Sequence, residues 1–285
     1  MSITPDGPPP SDIELGRRAF RRRQSVRSVL IAMASTVVFA VAIWLFVVNT
    51  PGWARVQDSF FDPETALAAL PRVWGGFLVN LRILFFAVIG VALVGTLIAF
   101  LRTLRGPVFF PLRVLAAGYT DVFRGIPLII VIYLVGFGVP GLVQVRIDTV
   151  VLGTIALVLT YSAYVSEVIR AGLEGVHPSQ RLAARALGLS HAKTMRLIVL
   201  PQAIRRQAPA LMNDFIAMQK DVGLVSLLGV VDAIRGAQIE QAKFADYTPY
   251  IVAAVLFVAL AIPTIRLADW VSAKLREREQ MGSVV

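Results

Sequence analysis

Long apolar runs, separated by short charged stretches, dominate the pattern of hydrophobic and polar positions along the chain. An uncharged run of about 18 residues is long enough to cross the ~30 Å hydrocarbon core of a bilayer as a helix. Runs of about this length or more occupy residues 29–48, 83–101, 125–145, 149–166, 208–231 and 247–265, and only the fifth contains charges, at Asp214, Lys220 and Asp221. The pattern predicts an all-α integral membrane protein of about six transmembrane helices.

The composition also indicates a membrane protein. The two ends of the chain add an N-terminal tail, one further transmembrane helix and a C-terminal tail to the prediction. Hydrophobic residues make up 56% of the chain and charged residues 16%, with a mean hydropathy of +0.71. Residues 1–28 are expected to form a basic, largely disordered tail, because their first half is rich in Pro and polar residues. The run 29–48 is longer than the apolar segment of a signal peptide and predicts an additional N-terminal transmembrane helix. Residues 271–285 are expected to form a second tail.

The positive charges sort to one side of the predicted membrane. If the N-terminus is inside, twenty of the 28 Lys and Arg residues fall on the inner side. The outer side receives five: Arg55, Arg72, Arg146, Arg235 and Lys243. Because cytoplasmic loops accumulate Lys and Arg, both termini are expected to be cytoplasmic. The net charge of +10 is explained by this sorting and does not require a nucleic acid partner.

The sequence lacks the signatures of an enzyme with its own energy source. There are no cysteines, and the two histidines, His177 and His191, lack the i, i+4 spacing of a helical metal pair. No GxSxG, HExxH or GxxxxGK[ST] motif is present. We therefore expect no metal, no cofactor and no ATPase site in this chain, so that any energy input must come from a partner.

The loop between spans four and five, about residues 170–206, is longer than a simple connection requires. Its first half predicts a short amphipathic helix that begins near Pro178 and Ser179 and ends at Gly188. The apolar positions at helical spacing are Leu182, Ala183, Ala186 and Leu187, with Ala184 and Leu189 beside them. Arg181 and Arg185 share another face at i, i+4. Docking against another protein and anchoring at the membrane surface both fit this pattern.

The second half of the loop predicts another helix that leads back into the bilayer. Ser190 is placed to cap it, and Pro201 is expected to interrupt its hydrogen bonds. Its apolar stripe includes Met195, Ile198 and Val199. The loop is thus predicted to be a helix, a glycine bend and a helix.

This loop resembles the EAA loop of the permeases of bacterial ABC importers. The resemblance rests on "AARALG" followed, after nine residues, by "IVLP", which places Gly188, Ile198, Leu200 and Pro201 at the family's spacing. Three further segments resemble the polar amino acid branch of that family: "YTDVFRGIPLII", "YSAYVSEVIRAGLEGVHPSQ" and "PQAIRRQAPALMNDFIAMQKDVGLVSLLG". The resemblance extends over about residues 74–270, which we expect to form the importer's transmembrane domain.

The resemblance implies a permease subunit in a bacterial cell membrane. It implies as partners a dimer of cytoplasmic ABC ATPases, a second permease subunit and an extracytoplasmic amino-acid-binding protein. Residues 181–189 would then form the coupling helix, within a coupling loop of about residues 177–201. In this chain Leu182 stands where the family's motif usually has Glu, so the contact at that position differs. The helix at 29–48 is also absent from many relatives of this branch.

Charged residues inside predicted spans are candidates for the substrate passage, because a charge in hydrocarbon is costly and usually faces protein or water. The candidates are Asn213, Asp214, Gln219, Lys220 and Asp221 in span five and Glu167 in span four. Pairing is the alternative for each: Asp214 and Lys220 with another helix or subunit, and Glu167 with Arg170 at i, i+3.

Two more features have a packing and a functional interpretation. Gly125 and Pro127 in "FRGIP" are expected to bend the chain, with a moving gate as the alternative. Tyr161 and Tyr164 are expected to be interfacial or packing aromatics rather than ligands.

Other classes of membrane protein remain as alternatives. A secondary transporter or channel would act without an ATPase-docking loop, and a membrane enzyme or structural subunit would need no passage. The motifs favour the permease.

Overall fold

The computed structural model describes residues 12–104 and 106–282, and every regular element in those two ranges is helical. The chain divides into two units, Met1–Asp58 and Ser59–Val285. The expected all-α membrane fold is confirmed.

The first unit contains α1, which runs from Asp12 to Val48 and has an exposed apolar segment. The expectation of disorder through residue 28 is therefore wrong for residues 12–28, while residues 1–11 lie outside the described part of the chain. Helix propagation explains the difference, since each residue added to an existing helix gains a hydrogen bond. The added stretch is rich in Arg and other good helix formers. A short helix, α2 (Trp53–Phe60), follows.

The second unit consists of ten helices in the described residues. In chain order they are α3 (Pro63–Thr103), α4 (Phe110–Gly125), α5 (Leu128–Tyr133), α6 (Val139–Val143), α7 (Thr149–Glu174), α8 (Pro178–Ala186), α9 (His191–Thr194), α10 (Leu200–Asp221), α11 (Ala233–Phe244) and α12 (Thr248–Gly282). Residues 271–282, expected to be a tail, thus continue the last helix. Two 3₁₀ segments, Pro107–Phe109 and Val222–Leu228, and two π segments, Leu134–Gly138 and Met195–Val199, connect them.

The number of spans depends on how two bent helix pairs are counted. Among the described residues, four helices are long and apolar enough to cross a membrane: Arg23–Val48, Trp53–Thr103, Thr149–Glu174 and Thr248–Leu275. Two pairs, bent by 108° and 54°, raise the total to six if each pair is one span. The predicted number of about six is reached only with these broken spans.

The run at residues 125–145 is not one straight helix. α4 ends at Gly125 and α5 begins at Leu128, with an angle of 108° between the two bent segments. Ile126, at φ −95° and ψ 129°, has the extended backbone that a following proline favours. The bend predicted for Gly125 and Pro127 is therefore confirmed.

The largest buried cluster joins α3, α7, α10 and the 3₁₀ segment Val222–Leu228. Its fully buried members include Ile83 and Ala87 of α3, Leu157 of α7 and Val225 of the 3₁₀ segment. Aliphatic side chains from four separate parts of the chain therefore meet in one place, which aligns α7 and α10 beside each other.

The buried side chain of Asn80 fixes the relative positions of the segments beside this cluster through hydrogen bonds. The Asn80 amide nitrogen donates to the Val222 carbonyl oxygen at 3.2 Å and to Asp232 Oδ2 at 3.0 Å, and its Oδ1 accepts from the Ala233 N–H at 3.0 Å. Asp232 in turn caps α11 by accepting from the Arg235 N–H at 2.9 Å. Both Asn80 and Asp232 are buried, so the bonds are shielded from water.

Gly76, one helical turn before Asn80, lets the same segments approach. A Cβ added at Gly76 would lie 2.3 Å from the backbone carbon and oxygen of Asp232, whereas a Cβ at Gly75 would meet nothing within 4 Å. Backbone atoms cannot rotate away, so Gly76 is required by the contact between α3 and the start of α11.

We expect Gly76→Ala to lower the free energy of unfolding by about 1–3 kcal/mol, because overpacking forces backbone shifts. Gly75→Ala is the matched control and should leave it unchanged or raise it by up to about 1 kcal/mol, because Ala is the better helix former. Thermal unfolding of the two purified variants in detergent measures the difference. Equal melting temperatures would show that the Gly76 contact contributes nothing.

Candidate coupling surface and substrate passage

α8 is closed at both ends by local hydrogen bonds. At its start, His177 Nδ1 accepts from the Ser179 N–H at 3.2 Å, and Pro178, whose missing N–H is not needed there, occupies the first turn. At its end, the Leu189 N–H donates to the Ala184 carbonyl at 3.0 Å and the Gly188 N–H to the Arg185 carbonyl at 2.9 Å. This pair of bonds is a Schellman motif.

Gly188 makes that ending possible. Its φ of +74° lies in the left-handed region, where a Cβ causes strain, and space is not the limit because a Cβ there would meet nothing within 4 Å. The predicted glycine bend is therefore present, and its cause is backbone conformation.

α8 turns its apolar residues outward. Ala184 is its one buried residue, while Leu182 and Leu187 are 66% and 81% exposed. We call the exposed residues Leu182, Ala183, Arg185, Ala186 and Leu187 the coupling surface. Arg181 instead attaches α8 to α7, because its Nη2 donates to the Leu173 carbonyl at the end of α7 at 2.5 Å. Exposed apolar side chains beside small residues are typical of a surface that binds another molecule.

The base of the loop is packed against the membrane helices. Val176, Val199 and Ala203 form a buried cluster, and Arg206 Nη1 donates to the Gly175 carbonyl at 2.5 Å. These contacts join the end of α7 to the start of α10. α8 begins directly after this junction, and Arg181 attaches it to the end of α7.

The second half of the loop agrees with the predicted cap and differs at the proline. Ser190 Oγ accepts from the Lys193 N–H at 3.4 Å. Pro201 does not end the helix, because the preceding turn, Met195–Val199, widens to a π-helix in which the Leu200 N–H donates to the Met195 carbonyl. Pro201 then lies in the first turn of α10, where its missing donor leaves no gap.

Glu167 is paired in the structure. Its carboxylate accepts from Arg102 Nη1 of α3 at 2.5 Å and from Arg170, and Arg170 also donates to Glu174 at 2.5 Å. The pairing alternative for Glu167 and Arg170 is therefore present, with Arg102 as an additional partner. Its place in a passage stays a prediction.

The span-five candidates divide between three directions on α10. Asp221 Oδ2 accepts from the Tyr161 hydroxyl of α7 at 2.7 Å. Gln219 is buried and its Nε2 donates to Thr264 Oγ1 of α12 at 3.0 Å. Asn213 and Lys220, seven residues apart, are both exposed. The structure therefore bonds Asp221 to Tyr161 of α7 and Gln219 to Thr264 of α12, and it leaves Asn213 and Lys220 exposed.

Asp214 lies two helical turns before Asp221, on the same face of α10. One of its carboxylate oxygens is buried and has no hydrogen-bond partner within residues 12–104 and 106–282, and the same holds for Gln219 Oε1. Buried acceptors are normally satisfied. A donor group that reached either oxygen could satisfy it. No group of three or more His, Cys, Asp or Glu residues suited to a metal occurs in the same two ranges.

Tyr161 has a role that its sequence context did not indicate. It is buried and hydrogen-bonded to a carboxylate, so it is more than a packing aromatic, whereas Tyr164 is partly exposed beside Arg124. One feature of the sequence could have predicted this bond: the tyrosine hydroxyl lies in the middle of an apolar span. A buried tyrosine hydroxyl usually has a hydrogen-bond partner.

Comparison with known proteins defines the class. The family model described as "Binding-protein-dependent transport system inner membrane component" matches residues 107–277. The chain therefore belongs to this family of membrane components of binding-protein-dependent transporters. It acts as a transport permease subunit, and it is a multi-pass membrane protein.

The individual relatives are named as permeases for amino acids. The chain is 32% identical over 222 residues to the arginine transport system permease protein ArtQ of Bacillus subtilis, covering 76% of this chain and 99% of that protein. It is 32% identical over 208 residues to the glutamate/aspartate import permease protein GltK of Escherichia coli, covering 67% and 92%.

Solved structures agree with this assignment. A chain of an amino acid ABC transporter with histidines has a TM-score of 0.69 and 34% identity, covering 75% of this chain and 98% of that chain. The methionine transporter MetNI, at 19% identity and a TM-score of 0.57, shares the fold. The resemblance to amino acid ABC importer permeases is confirmed.

Proposed function

We propose that this chain is the permease subunit of an ATP-driven importer that forms the membrane passage for polar amino acids. The relatives named for arginine and for glutamate/aspartate support this substrate class. The proposed complex contains two permease subunits, the same or related, two cytoplasmic ATPases and an extracytoplasmic amino-acid-binding protein. It lies in a bacterial cell membrane with both termini cytoplasmic, and ATP is hydrolysed by the partner alone.

The exposed coupling surface is the observation that carries the proposal. Burying a leucine contributes about 1.5–3 kcal/mol, so the two leucines of α8 would support docking. An exposed ion pair contributes about 0–1 kcal/mol. Leu182 in place of the family's usual Glu therefore exchanges a weak ionic contact for a stronger apolar one. Insertion of these leucines into the membrane surface is the competing use.

Coupling would follow from the attachment of α8 to the end of α7, which is itself bonded to α10. ATP binding would draw the ATPases together, a shift of α8 would be transmitted through Arg181 to Leu173 of α7, and the bond between Gly175 and Arg206 would carry it on to α10. The spans would then change from inward-facing to outward-facing, and hydrolysis would reset them. The π turn before Pro201 lies on this route.

For the passage we propose Asn213, Asp214, Gln219, Lys220 and Asp221, with Glu167 in a supporting position. The unsatisfied oxygens of Asp214 and Gln219 support the assignment, because the ammonium group of an amino acid can donate to both kinds of acceptor. Glu167 lies nearer the coupling loop and is held by two arginines.

Uptake by the reconstituted complex tests the function. Vesicles containing the permease, its ATPase and its binding protein should accumulate labelled arginine, glutamine or glutamate only when ATP and binding protein are present. Vesicles with the permease alone should not. Ion-driven uptake by the chain alone would instead support a secondary transporter.

Gly188→Leu should reduce ATPase co-purification and uptake by at least about tenfold while the protein remains in the membrane, because a side chain at φ +74° costs about 1–2 kcal/mol and disturbs the end of α8. Gly188→Asn is the matched control, since Asn tolerates this conformation, and should retain most of both activities. Normal co-purification and transport by Gly188→Leu would contradict the docking role.

Asp214→Asn should change the apparent affinity or the preference among amino acids by about 10- to 100-fold, the range for a hydrogen bond to a charged group. Lys220→Gln should also alter transport, and both variants should assemble normally. Asp58→Asn, the same kind of change at an exposed carboxylate of α2 outside the proposed passage, is the control. Unchanged uptake across a panel of amino acids would assign Asp214 and Lys220 to structure alone.

A further inference from the structure

A cavity of about 430 Å³ opens between α10 and α12, at the ends that lie on the side of the coupling loop. Its lining is divided between polar and apolar side chains. The polar group is Arg205, Arg206, Asn213, Asp269 and Ser272, and the apolar group is Pro209, Ala268 and Leu275. A ligand that uses the whole lining must therefore be amphiphilic.

The charges of the cavity favour an anion. Two adjacent guanidinium groups, Arg205 and Arg206, face one carboxylate, Asp269, which leaves an excess of one positive charge. Both arginines are exposed, and Arg206 is held in place by its bond to the Gly175 carbonyl. Guanidinium groups match the geometry of phosphate oxygens and can bind two of them at once.

The neighbouring residues place the cavity at the depth of lipid headgroups. Trp270, next to Asp269, is exposed, and the Lys274 ammonium lies 4.7 Å from the centre of its ring. Tryptophan is enriched where a transmembrane helix leaves the bilayer, and lysine extends from there toward water. An amphiphile at this depth is a membrane lipid.

We propose that this cavity binds an anionic phospholipid of the phosphatidylglycerol type. Arg205 and Arg206 bind the phosphate, and Asp269 accepts hydrogen bonds from the glycerol hydroxyls of the headgroup. Pro209, Ala268 and Leu275 contact the glycerol backbone and the first part of the acyl chains. The site joins α10 to α12 at the membrane surface. Basic pockets between helices bind anionic headgroups in this way.

The test measures binding of dioctanoyl-phosphatidylglycerol to the purified full-length chain by native mass spectrometry. Arg205→Gln should weaken binding at least tenfold, because it removes charge-assisted bonds to phosphate. Arg205→Lys, which keeps the charge, should bind better than Arg205→Gln. Arg266→Gln is the matched control: it removes the same charge from an exposed position on α12 that does not line the cavity, and binding should stay within twofold.

Several results would overturn the proposal. Equal losses in Arg205→Gln and Arg266→Gln would reveal general attraction to positive charge. Binding of glycerol phosphate or inorganic phosphate as tightly as the lipid would indicate a site for free anions. Displacement of the lipid by arginine, glutamine or glutamate at low concentration would assign the cavity to the substrate passage. Matching elution and melting profiles of the variants ensure that the comparison concerns binding.

Discussion

The hydrogen bonds of Asn80 hold together the part of the second unit on which the other helices depend. In an apolar chain a buried amide has no water to bond, so its partners must come from protein. Asn80 finds three of them in Val222, Asp232 and Ala233, which belong to the connection between α10 and α11. The cap of α11 and the close approach at Gly76 follow from the same contact. Displacing any one segment would leave buried polar groups unbonded.

The same requirement explains how α10 is oriented. Asp221 is bonded to Tyr161 of α7 and Gln219 to Thr264 of α12, so the helix is fixed on two sides. The face that carries Asn213 and Lys220 is exposed. Asp214 and Gln219 each have a buried oxygen without a partner in the described ranges. Within two turns, α10 therefore carries both polar groups that bond to neighbouring helices and buried oxygens that have no partner in the described ranges.

Local patterns predicted the local features of this protein. The apolar runs, the bend at Gly125 and Pro127, the cap at Ser190 and the end of α8 at Gly188 depend on residues close together in the chain. Contacts over long separations were not predictable from periodicity: Arg102 pairs with Glu167, Tyr161 with Asp221, and Asn80 with Asp232. The outward direction of Leu182 and Leu187 also depends on a tertiary contact, the anchoring of Arg181 to Leu173. Helical spacing identifies the residues that share one face of a helix. It does not determine which face packs against the rest of the protein.

The exposed leucines at α8 affect the amount of folded permease that a cell can maintain. A surface with Leu182 and Leu187 exposed to water is prone to self-association. Binding of the proposed ATPase would cover that surface and shift the equilibrium toward the native form by mass action. The amount of permease would then be limited by the supply of its partner, and excess subunits would be lost to aggregation or proteolysis.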